Sequence, residues 1–392
     1  MHIVFFTHPD FLGAERMPSF ASMPRFARML ADGMRERGHQ VEMWAPKASL
    51  FDLPVKGSAK KWLGYIDQYL LFPAEVRKRL KKTPPDTLFV FTDNALGPWV
   101  PLVADRPHVI HCHDFMAQRS ALGLIPENPT SWSGQQYQRL IREGYSKGKH
   151  FISVSEKTKM ELNSLLPTPP ITSAVVYNGL SKDLVPYDCA EARAALSKKT
   201  GLDLGQGYLL HVGGNQWYKN RLGVIEIYTA WRSISQSKEP LLLIGGPLTP
   251  AMSKVQAESP FKDDIHVISG VEDKYVHLAY AGASAFLFPS IAEGFGWPIA
   301  EAMAAGSLVI TTGEAPMTEV AGEAGFLIPR RPHNDSQTTP WAREAAEVVE
   351  KVVNLPAAER RAAIEAGLAN IARFNSKNAL DRIEEIYKSI VK

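Results

Sequence analysis

Short apolar runs alternate with amphipathic stretches along most of the chain, and this rhythm constrains the fold more than any other feature. In the first half the apolar runs lie at 3–6, 41–44, 88–91, 109–110 and 151–154. In the second half they lie at 208–212, 241–244, 265–268, 285–288 and 308–311. Short apolar runs separated by helical material are typical of parallel strands buried on both faces. The pattern predicts an α/β protein with two Rossmann-like, doubly wound parallel-sheet domains that face a ligand cleft.

The length of 392 residues is sufficient for two domains, each with its own core. We place the N-terminal domain at 1–190 and the C-terminal domain at 191–375. The dipeptide Asn178-Gly179 is typical of a turn, and a polar, lysine-rich stretch separates it from the apolar run at 208–212. The remaining segment, 376–392, has a helical pattern.

Charge and cysteine content exclude several classes of function. The chain has 44 Lys and Arg against 41 Asp and Glu, a net charge of +3, so composition gives no sign of a nucleic-acid partner. The two cysteines, Cys112 and Cys189, are far apart and have no metal-ligand spacing. The sequence begins with a strand-like run, and no apolar run approaches the roughly 20 residues that span a bilayer. These features predict a reduced, cytoplasmic protein.

A glycine-flanked loop with two carboxylates is the strongest local signal. Gly294 and Gly296 allow close approach of backbone N–H groups to a ligand, and Pro298 is suited to open a helix whose first amides favour anions. Ionised Glu293 and Glu301 are pure hydrogen-bond acceptors, which suits sugar hydroxyls. Each glutamate alone is also compatible with a solvated loop or a helix-dipole role. Together they predict a site for a sugar nucleotide.

A second loop follows the apolar run at 208–212 and is suited to phosphate. Gly213 and Gly214 end the run, and Lys219 adds a mobile positive charge. Asn220 and Arg221 stand at the start of the next helical stretch, where their donors could reach an anion. A solvated arginine is the alternative for Arg221.

His111 and His113 flank Cys112 at the end of a predicted strand, before Asp114. Residues two apart on a strand point to opposite faces, so only one of these histidines can face the cleft. No third ligand has a recognisable zinc spacing, so the pair does not predict a metal site. A buried histidine bonded to the backbone is the alternative for either residue.

The Glu-x7-Glu spacing of Glu293 and Glu301, followed by Ala-Met-Ala-x-Gly, resembles the signature of retaining glycosyltransferases with the GT-B fold, in particular glycosyltransferase family four (group 1). This resemblance implies transfer of a hexose from a UDP- or GDP-linked donor with retention at the anomeric carbon. It implies a glycan or lipid-linked saccharide as acceptor, in bacterial surface polysaccharide synthesis. It also implies that the helix at 376–392 packs back onto the N-terminal domain.

The resemblance further assigns roles to individual residues. The family's catalytic positions correspond to His113, Lys219 and Glu293. By this resemblance His113 would approach the transferred sugar and Lys219 would neutralise the diphosphate. Its donor contacts fall on Gly213, Gly214, Asn215, Asn220, Val271, Gly294, Phe295, Gly296, Trp297 and Glu301. Many family members carry an arginine directly after the Val-Gly of the strand. Here Gly214 and Asn215 occupy that region, so the arginine's role is not transferred.

No Asp-x-Asp pair is present, and such pairs are the usual means of holding a divalent metal against a diphosphate. We therefore expect a reaction without metal or cofactor. The leaving group would be stabilised by Lys219, the amides of Phe295 and Gly296, and the helix that begins near Pro298.

Signals for the acceptor are weaker. The loop at 8–20 lacks the paired glycines that many family members place after the first strand. Gly13, Arg25 and Asp114 are the candidate acceptor contacts, with a surface ion pair as the alternative for Arg25.

Basic and aromatic residues are interleaved between positions 56 and 82, and this basic-aromatic patch suits an anionic membrane surface. Its members are Lys56, Lys60, Lys61, Trp62, Tyr65, Tyr69, Leu70, Leu71, Phe72, Arg77, Lys78, Arg79, Lys81 and Lys82. The alternative is a solvated basic helix whose aromatic residues pack into the core.

Three other functions remain open on the sequence. A GT-B nucleotide-sugar epimerase or hydrolase would share donor binding but need no acceptor. A noncatalytic glycan-binding protein would keep the same residues. A nucleotide-dependent dehydrogenase is disfavoured because no Gly-x-Gly-x-x-Gly follows the first strand.

Overall fold

The structure, a computed structural model, describes residues 1–12, 22–180 and 184–391. Within these residues the strands form two six-stranded sheets in which every neighbouring pair is parallel. The sheet orders are β2-β1-β3-β4-β5-β6 and β12-β11-β10-β7-β8-β9. The strands are β1 (His2–Phe6), β2 (Gln40–Trp44), β3 (Leu88–Phe91), β4 (His108–Cys112), β5 (His150–Ser153), β6 (Thr172–Val175), β7 (Leu209–Val212), β8 (Leu241–Ile244), β9 (Ile265–Ile268), β10 (Ala285–Phe288), β11 (Val309–Thr312) and β12 (Phe326–Ile328).

Helices connect the parallel strands, as crossover geometry requires. They are α1 (Ser22–Glu36), α2 (Ser58–Ile66), α3 (Phe72–Leu80), α4 (Met116–Ala121), α5 (Trp132–Tyr145), α6 (Glu156–Leu165), α7 (Cys189–Thr200), α8 (Arg221–Ile234), α9 (Pro250–Glu258), α10 (Asp273–Gly282), α11 (Trp297–Ala304), α12 (Met317–Ala321), α13 (Thr338–Val353), α14 (Ala357–Ile371) and α15 (Ser376–Val391). A π-helical turn, Asp67–Leu71, joins α2 to α3.

The predicted fold class of two doubly wound parallel sheets is confirmed. Every apolar run named from the sequence lies on a strand, within a residue or two at the ends. The apolar runs named from the sequence include neither β6 nor β12. Both misses have the same cause. β6 is only half-buried and β12 has three residues, so neither carries a run of buried apolar side chains.

The chain divides into two compact units. The first unit comprises Met1–Ile125, Pro129–Tyr177 and Lys377–Lys392, and the second comprises Pro126–Asn128 and Asn178–Ser376. The boundary placed at 190/191 from the sequence thus falls inside the second unit. Residues just after Asn178 belong there because the Leu180 N–H donates to the Phe374 carbonyl at 2.8 Å.

Alternation along β1 explains the two cores of the first unit. Val4 and Phe6 point to one face, where they pack with aromatic residues of β3 and of neighbouring segments. Ile3 and Phe5 point to the other face, where they pack with α1 and with Leu380, Ile383, Ile386 and Tyr387 of α15. The C-terminal helix therefore supplies part of the core of the N-terminal unit.

The basic-aromatic patch occupies α2, the π-helical turn and α3 of the first unit. Phe72 is buried at 2% exposure, and the Tyr69 hydroxyl hydrogen bonds to the Tyr137 hydroxyl at 2.8 Å. Trp62 and Leu70, in contrast, are 66% and 64% exposed. The aromatic residues are thus divided between the core and the surface. None of the described helices is both long enough and apolar enough to span a membrane.

Candidate active site

The loop after β7 begins with the paired glycines. The Gly213 N–H donates to the Ile244 carbonyl of β8 at 3.0 Å, so this amide is not available to a phosphate. A side chain at Gly245, which follows β8, would lie 2.1 Å from the Gly213 carbonyl oxygen. The backbones after β7 and β8 therefore meet at a distance that only glycine permits. The result is a rigid double turn at the carboxyl edge of the second sheet.

Asn220 caps α8 and fastens its start to the next loop. Its backbone adopts a left-handed conformation with φ of 52°, which asparagine tolerates better than most residues. Its side-chain oxygen accepts from the Gly223 N–H at 3.2 Å, and its Nδ2 donates to the Pro289 carbonyl at 2.9 Å. Asn220 was predicted as a donor contact. Its buried amide group holds the loop that carries Lys219 instead.

Arg221 is completely buried, so the solvated arginine considered from the sequence is wrong. Its Nη1 donates to the Gly246 carbonyl at 2.8 Å and to the Asn215 side-chain oxygen. Asn215 in turn donates from Nδ2 to the Pro247 carbonyl at 2.6 Å. Arg221 and Asn215 therefore link the loop after β7 to the loop after β8.

Lys219 and Glu293 form the central ion pair of the second unit. Lys219 Nζ lies 2.8 Å from Glu293 Oε1, and the side chains are 15% and 8% exposed. The same carboxylate oxygen accepts from the Ser290 hydroxyl at 2.9 Å. Lys219 Nζ also lies 5.0 Å from the ring centre of Phe288, at the end of β10. The structure thus brings together two of the three predicted catalytic residues.

Helix α11 begins directly after the glycine loop. Gly296 is its N-cap, with φ of 105°, a conformation that glycine adopts without strain. Phe295 is buried and its ring meets those of Trp297 and Phe374 edge-on, at 5.7 and 5.5 Å between centres. The Phe295 side chain therefore anchors the loop, and its backbone is the part that can face a ligand. The first-turn amides of α11 are suited to an anion.

Glu301 lies one turn further along α11. The buried Tyr280 hydroxyl donates to Glu301 Oε2 at 3.4 Å. Burial, and then the neighbouring Glu301 carboxylate, raise the pKa of Tyr280 well above its ordinary value. The phenol therefore stays protonated and keeps Glu301 oriented. Val271 is partly buried in the turn between β9 and α10, after Gly270.

His113, the third predicted catalytic residue, lies in the first unit directly after β4. Its Nε2 donates to the Thr92 carbonyl at 2.9 Å, and its backbone N–H donates to Asn94 Oδ1 at 3.2 Å. Since a carbonyl can only accept, Nε2 carries the proton and Nδ1 is left as an acceptor. Burial lowers the pKa of His113 more than the nearby Asp93 carboxylate raises it. The imidazole is therefore neutral.

His111 faces the opposite side of β4, as the strand alternation predicts. Its Nε2 lies 2.7 Å from the Tyr387 hydroxyl of α15, and burial lowers its pKa to about 3. His111 is thus a core residue. Within the part of the chain that the structure describes, no group of three or more His, Cys, Asp or Glu residues is placed to hold a metal ion.

A histidine-carboxylate pair that the sequence reading missed lies at the same sheet edge as His113. His8 Nε2 is 2.8 Å from Asp93 Oδ2. Burial lowers the pKa of His8, but the hydrogen bond and charge of Asp93 outweigh it, so the pKa is raised. His8 lines a small cavity together with Thr7, Asp10, Met23, Pro24, Ala27, Arg28, Met43 and Thr92. The available signal was positional, because His8 and Asp93 follow the neighbouring strands β1 and β3.

The structure describes two of the three predicted acceptor contacts. Asp114 Oδ1 accepts from the Met116 N–H at 3.0 Å, which gives this carboxylate a role in starting α4. Arg25 is exposed on α1. Gly13 lies outside the described residues.

Both halves of the chain match known glycosyltransferase families. Residues 206–350 match the family model for glycosyl transferases group 1, and residues 23–184 match the model for glycosyltransferase family 4. Over 193 residues the chain is 28% identical to the O-antigen chain mannosyltransferase B of Escherichia coli. The aligned segment covers 48% of this chain and 50% of that protein. The chain thus spans about half the length of the curated relatives it matches.

Solved structures resemble the chain over nearly its full length. Anabaena Alr3699/HepE, in complex with UDP and glucose, gives a TM-score of 0.71 at 17% identity and covers 99% of this chain and 100% of that one. WaaG, a glycosyltransferase involved in lipopolysaccharide biosynthesis, gives 0.69 at 18% identity, with 98% and 99% covered. At these identities the likeness shows the fold, and it confirms the expected GT-B architecture. With one family match on each sheet, the chain belongs to the group 1 glycosyltransferases.

Proposed function

We propose that this protein is a retaining glycosyltransferase that moves a hexose, specifically a mannosyl group, from a nucleotide sugar to a saccharide acceptor without a metal ion. The observation that carries the proposal is the ion pair between Lys219 and Glu293 at 2.8 Å, held beside the glycine loop that opens α11. It is a fixed charge pair with few solvent contacts at the carboxyl edge of a parallel sheet, where open α/β sheets bind ligands.

The donor diphosphate is proposed to lie between Lys219 and the start of α11. An ammonium group has three N–H donors, and the contact with Glu293 uses one of them. The others are free in direction to meet phosphate oxygens. The first amides of α11 and the positive end of its dipole add fixed donors that need no reorganisation during the reaction. Glu301, oriented by Tyr280, is proposed to accept hydroxyl groups of the nucleotide's ribose.

In the proposed reaction the bond between the anomeric carbon and the diphosphate oxygen breaks, and a bond from the same face of the sugar to an acceptor oxygen forms. The proton of the acceptor hydroxyl passes to the departing diphosphate, so charge and atoms balance. Lys219 and α11 stabilise the negative charge that develops on the leaving group. Glu293 is paired with Lys219 and Glu301 accepts from Tyr280, so neither is proposed as a covalent nucleophile, and attack from the same face is proposed instead.

His113 is proposed to contact a hydroxyl of the transferred hexose. Its Nε2–H is committed to the Thr92 carbonyl, and Nδ1 has no partner among the described residues. A neutral imidazole in this tautomer accepts a hydrogen bond from a hydroxyl and gives no proton to the reaction.

The sugar and the pathway rest on the relatives. The Escherichia coli relative is named for mannosyl transfer to an O-antigen chain, and WaaG is a glycosyltransferase of lipopolysaccharide biosynthesis. These names support a mannosyl donor linked to UDP or GDP and a growing or lipid-linked surface glycan as acceptor. Exposed Trp62 and Leu70 among the lysines of the basic-aromatic patch support peripheral contact with an anionic membrane.

Calorimetric titration of UDP and GDP in the presence of a chelator tests the donor site. We expect one of the two to bind the unmodified protein, and Lys219→Ala and Glu301→Ala each to weaken that binding about tenfold or more. Lys254→Ala is the matched control, because that lysine is 77% exposed and its ion pair among the described residues is with Glu258 on its own helix. Absence of binding by either nucleotide, or equal effects of all three substitutions, would contradict the proposal.

The transfer itself is tested by incubating the protein with the preferred hexose donor and a saccharide acceptor, again with chelator. Nuclear magnetic resonance of the product should report the anomeric configuration of the donor. An inverted product would refute retention, and activity that appears only after metal is restored would refute metal independence. Conversion of the donor without an acceptor would instead identify an epimerase or hydrolase.

A further inference from the structure

Arg221 is a buried cation without an acidic partner. Its side chain is 0% exposed, and none of the described carboxylates forms an ion pair with it. Burying a guanidinium is strongly unfavourable unless an opposite charge compensates it. Loss of water alone lowers the pKa of Arg221, with no acidic group to raise it. A charge in this position points to a counterion that arrives with a ligand.

Two of the guanidinium nitrogens are unused. Nη1 donates to the Gly246 carbonyl and to Asn215, whereas Nε and Nη2 are buried and have no hydrogen-bond partner. Few buried polar atoms in native proteins lack a partner, and those that do call for an explanation. A third such atom, Nε2 of His211, lies on β7, the strand that leads into the glycine turn.

His211 adds an acceptor and no charge. Its Nδ1 donates to the Leu287 carbonyl at 2.9 Å, which leaves Nε2 unprotonated. Burial, with a smaller contribution from the charges of Arg221 and Lys219, lowers the pKa of His211 to about 3. A Cβ at Gly213 would lie 3.1 Å from this Nε2, so the imidazole lies directly beneath the glycine turn.

The charges around this turn do not balance. Lys219 is matched by Glu293 at 2.8 Å, and His211 is neutral. The charge of Arg221 therefore remains as one uncompensated positive charge beside Asn215, directly after the Gly213–Gly214 turn. A single positive charge in a region of low dielectric attracts an anion strongly, because little water is present to screen it.

We propose that Arg221 provides the uncompensated positive charge that holds the donor's diphosphate over the Gly213–Gly214 turn, acting from beneath the loop as an electrostatic and positioning residue. This inference rests on the proposed function, since it names a residue of the same donor site. Gly214 and Asn215, which follow the strand, carry no positive charge. In this proposal the positive charge is supplied by Arg221, the first residue of α8.

Two classes of substitution separate charge from shape. Arg221→Gln keeps an amide that can donate to Gly246 and Asn215, but it removes the charge. Arg221→Lys keeps the charge and loses the planar fork. Replacement of a buried charge by a neutral side chain is often neutral or stabilising, so Arg221→Gln is expected to fold. Arg232→Gln on the same helix is the matched control, since Arg232 pairs with Asp264 on another surface.

The experiment compares the affinities of the diphosphate, the monophosphate and the unphosphorylated nucleoside that share the base preferred by the unmodified protein. We expect Arg221→Gln to weaken the diphosphate about tenfold or more and to leave the nucleoside unchanged. Arg221→Lys should recover most of the loss, and Arg232→Gln should have no effect. Raising the salt concentration should weaken diphosphate binding less in Arg221→Gln than in the unmodified protein.

Equal losses for diphosphate and nucleoside would mean that Arg221 only shapes the loop, and would overturn the inference. Unchanged diphosphate affinity in Arg221→Gln would overturn it as well. If Arg221→Gln does not fold, Arg221→Lys decides, because near-normal diphosphate affinity supports the charge and a tenfold loss with intact nucleoside binding refutes it. Failure of every nucleotide to bind the unmodified protein would instead remove the proposed function itself.

Discussion

The carboxyl edges of the two sheets differ in how their charged side chains are balanced. In the first unit, His8 and Asp93 pair at 2.8 Å and His113 is neutral, so the charges cancel locally beside a cavity partly lined by methionine and alanine. In the second unit, Lys219 and Arg221 lie beside glycine turns; Glu293 pairs with Lys219, and none of the described carboxylates pairs with Arg221. An edge with compensated charges suits a neutral, hydroxyl-rich ligand, whereas an edge with excess positive charge suits a phosphate.

This contrast shows how one fold can present two chemically different sheet edges. Both sheets are parallel and six-stranded, so the backbone offers the same crevice in each. The difference lies in a few residues after strands β1, β3, β7 and β10. Function is therefore set by the loops, and the sheets hold those loops in place.

The largest effect is expected at Glu293. Glu293→Gln removes the carboxylate that partners Lys219, so the positive excess of the second edge increases. We expect the nucleoside diphosphate to bind with equal or higher affinity, while the rate of transfer falls about 100-fold or more because Lys219 is no longer held in position. Calorimetry measures the diphosphate affinity, and initial-rate assays on the same preparation measure the rate of transfer.

Ser290→Ala is the matched control for Glu293→Gln, because it removes the 2.9 Å hydrogen bond to the same oxygen and keeps the charge. A smaller loss of rate is expected there. Weaker diphosphate binding in Glu293→Gln would show that the excess positive charge is not what attracts the anion, and the comparison between the two edges would fail.

A smaller effect is expected at the first edge, where Asp93→Asn removes the charge that partners His8. The amide keeps an oxygen that can accept from the Ala95 N–H, so the local turn is preserved. The pKa of His8 is raised above its ordinary value of 6.5, and that of Asp93 is lowered below 3.8. The stabilisation by the pair is therefore complete between these values. It is lost as pH rises through the pKa of folded His8, and as pH falls through that of folded Asp93.

With His8 35% exposed, solvent screening reduces the expected loss in Asp93→Asn to about 1 kcal/mol at pH 5 to 6. Urea unfolding as a function of pH measures it, and the difference from the unmodified protein should shrink above the pKa of His8. Asp32→Asn is the control, because its 62% exposed carboxylate pairs with Arg35 on the surface. A difference that persists unchanged to pH 9 would show that His8 and Asp93 do not act as a charge pair.

The fold could be predicted well because a parallel strand that is buried on both faces consists of consecutive apolar residues, which are visible in the sequence. Lys219, Glu293 and Glu301 were predicted from their residue types and local spacing, and the structure brings Lys219 and Glu293 into contact. The roles of Asn220 and Arg221 depended on partners brought close by folding, such as Pro289 and Gly246. Neither the residue type of Arg221 nor its place at the start of a helix indicates that its side chain is buried, although most of its neighbours on α8 are buried in the structure.

The pair of His8 and Asp93 illustrates the same limit. The two residues are 85 positions apart, and their contact exists because β1 and β3 are neighbours in the sheet. Strand order cannot be read from composition or spacing.

The smallest effect is expected at the basic-aromatic patch of the first unit. Most of its charges are exposed, and each exposed charge contributes on the order of 1 kcal/mol near an anionic surface. We expect the protein to float with vesicles containing anionic lipid, and Lys61→Glu with Trp62→Ala to reduce the bound fraction several-fold. Trp132→Ala, which removes a 75% exposed tryptophan from α5, is the control. Equal recovery with neutral and anionic vesicles would remove the membrane proposal, and the first unit would then be left with a neutral ligand site as its proposed contribution.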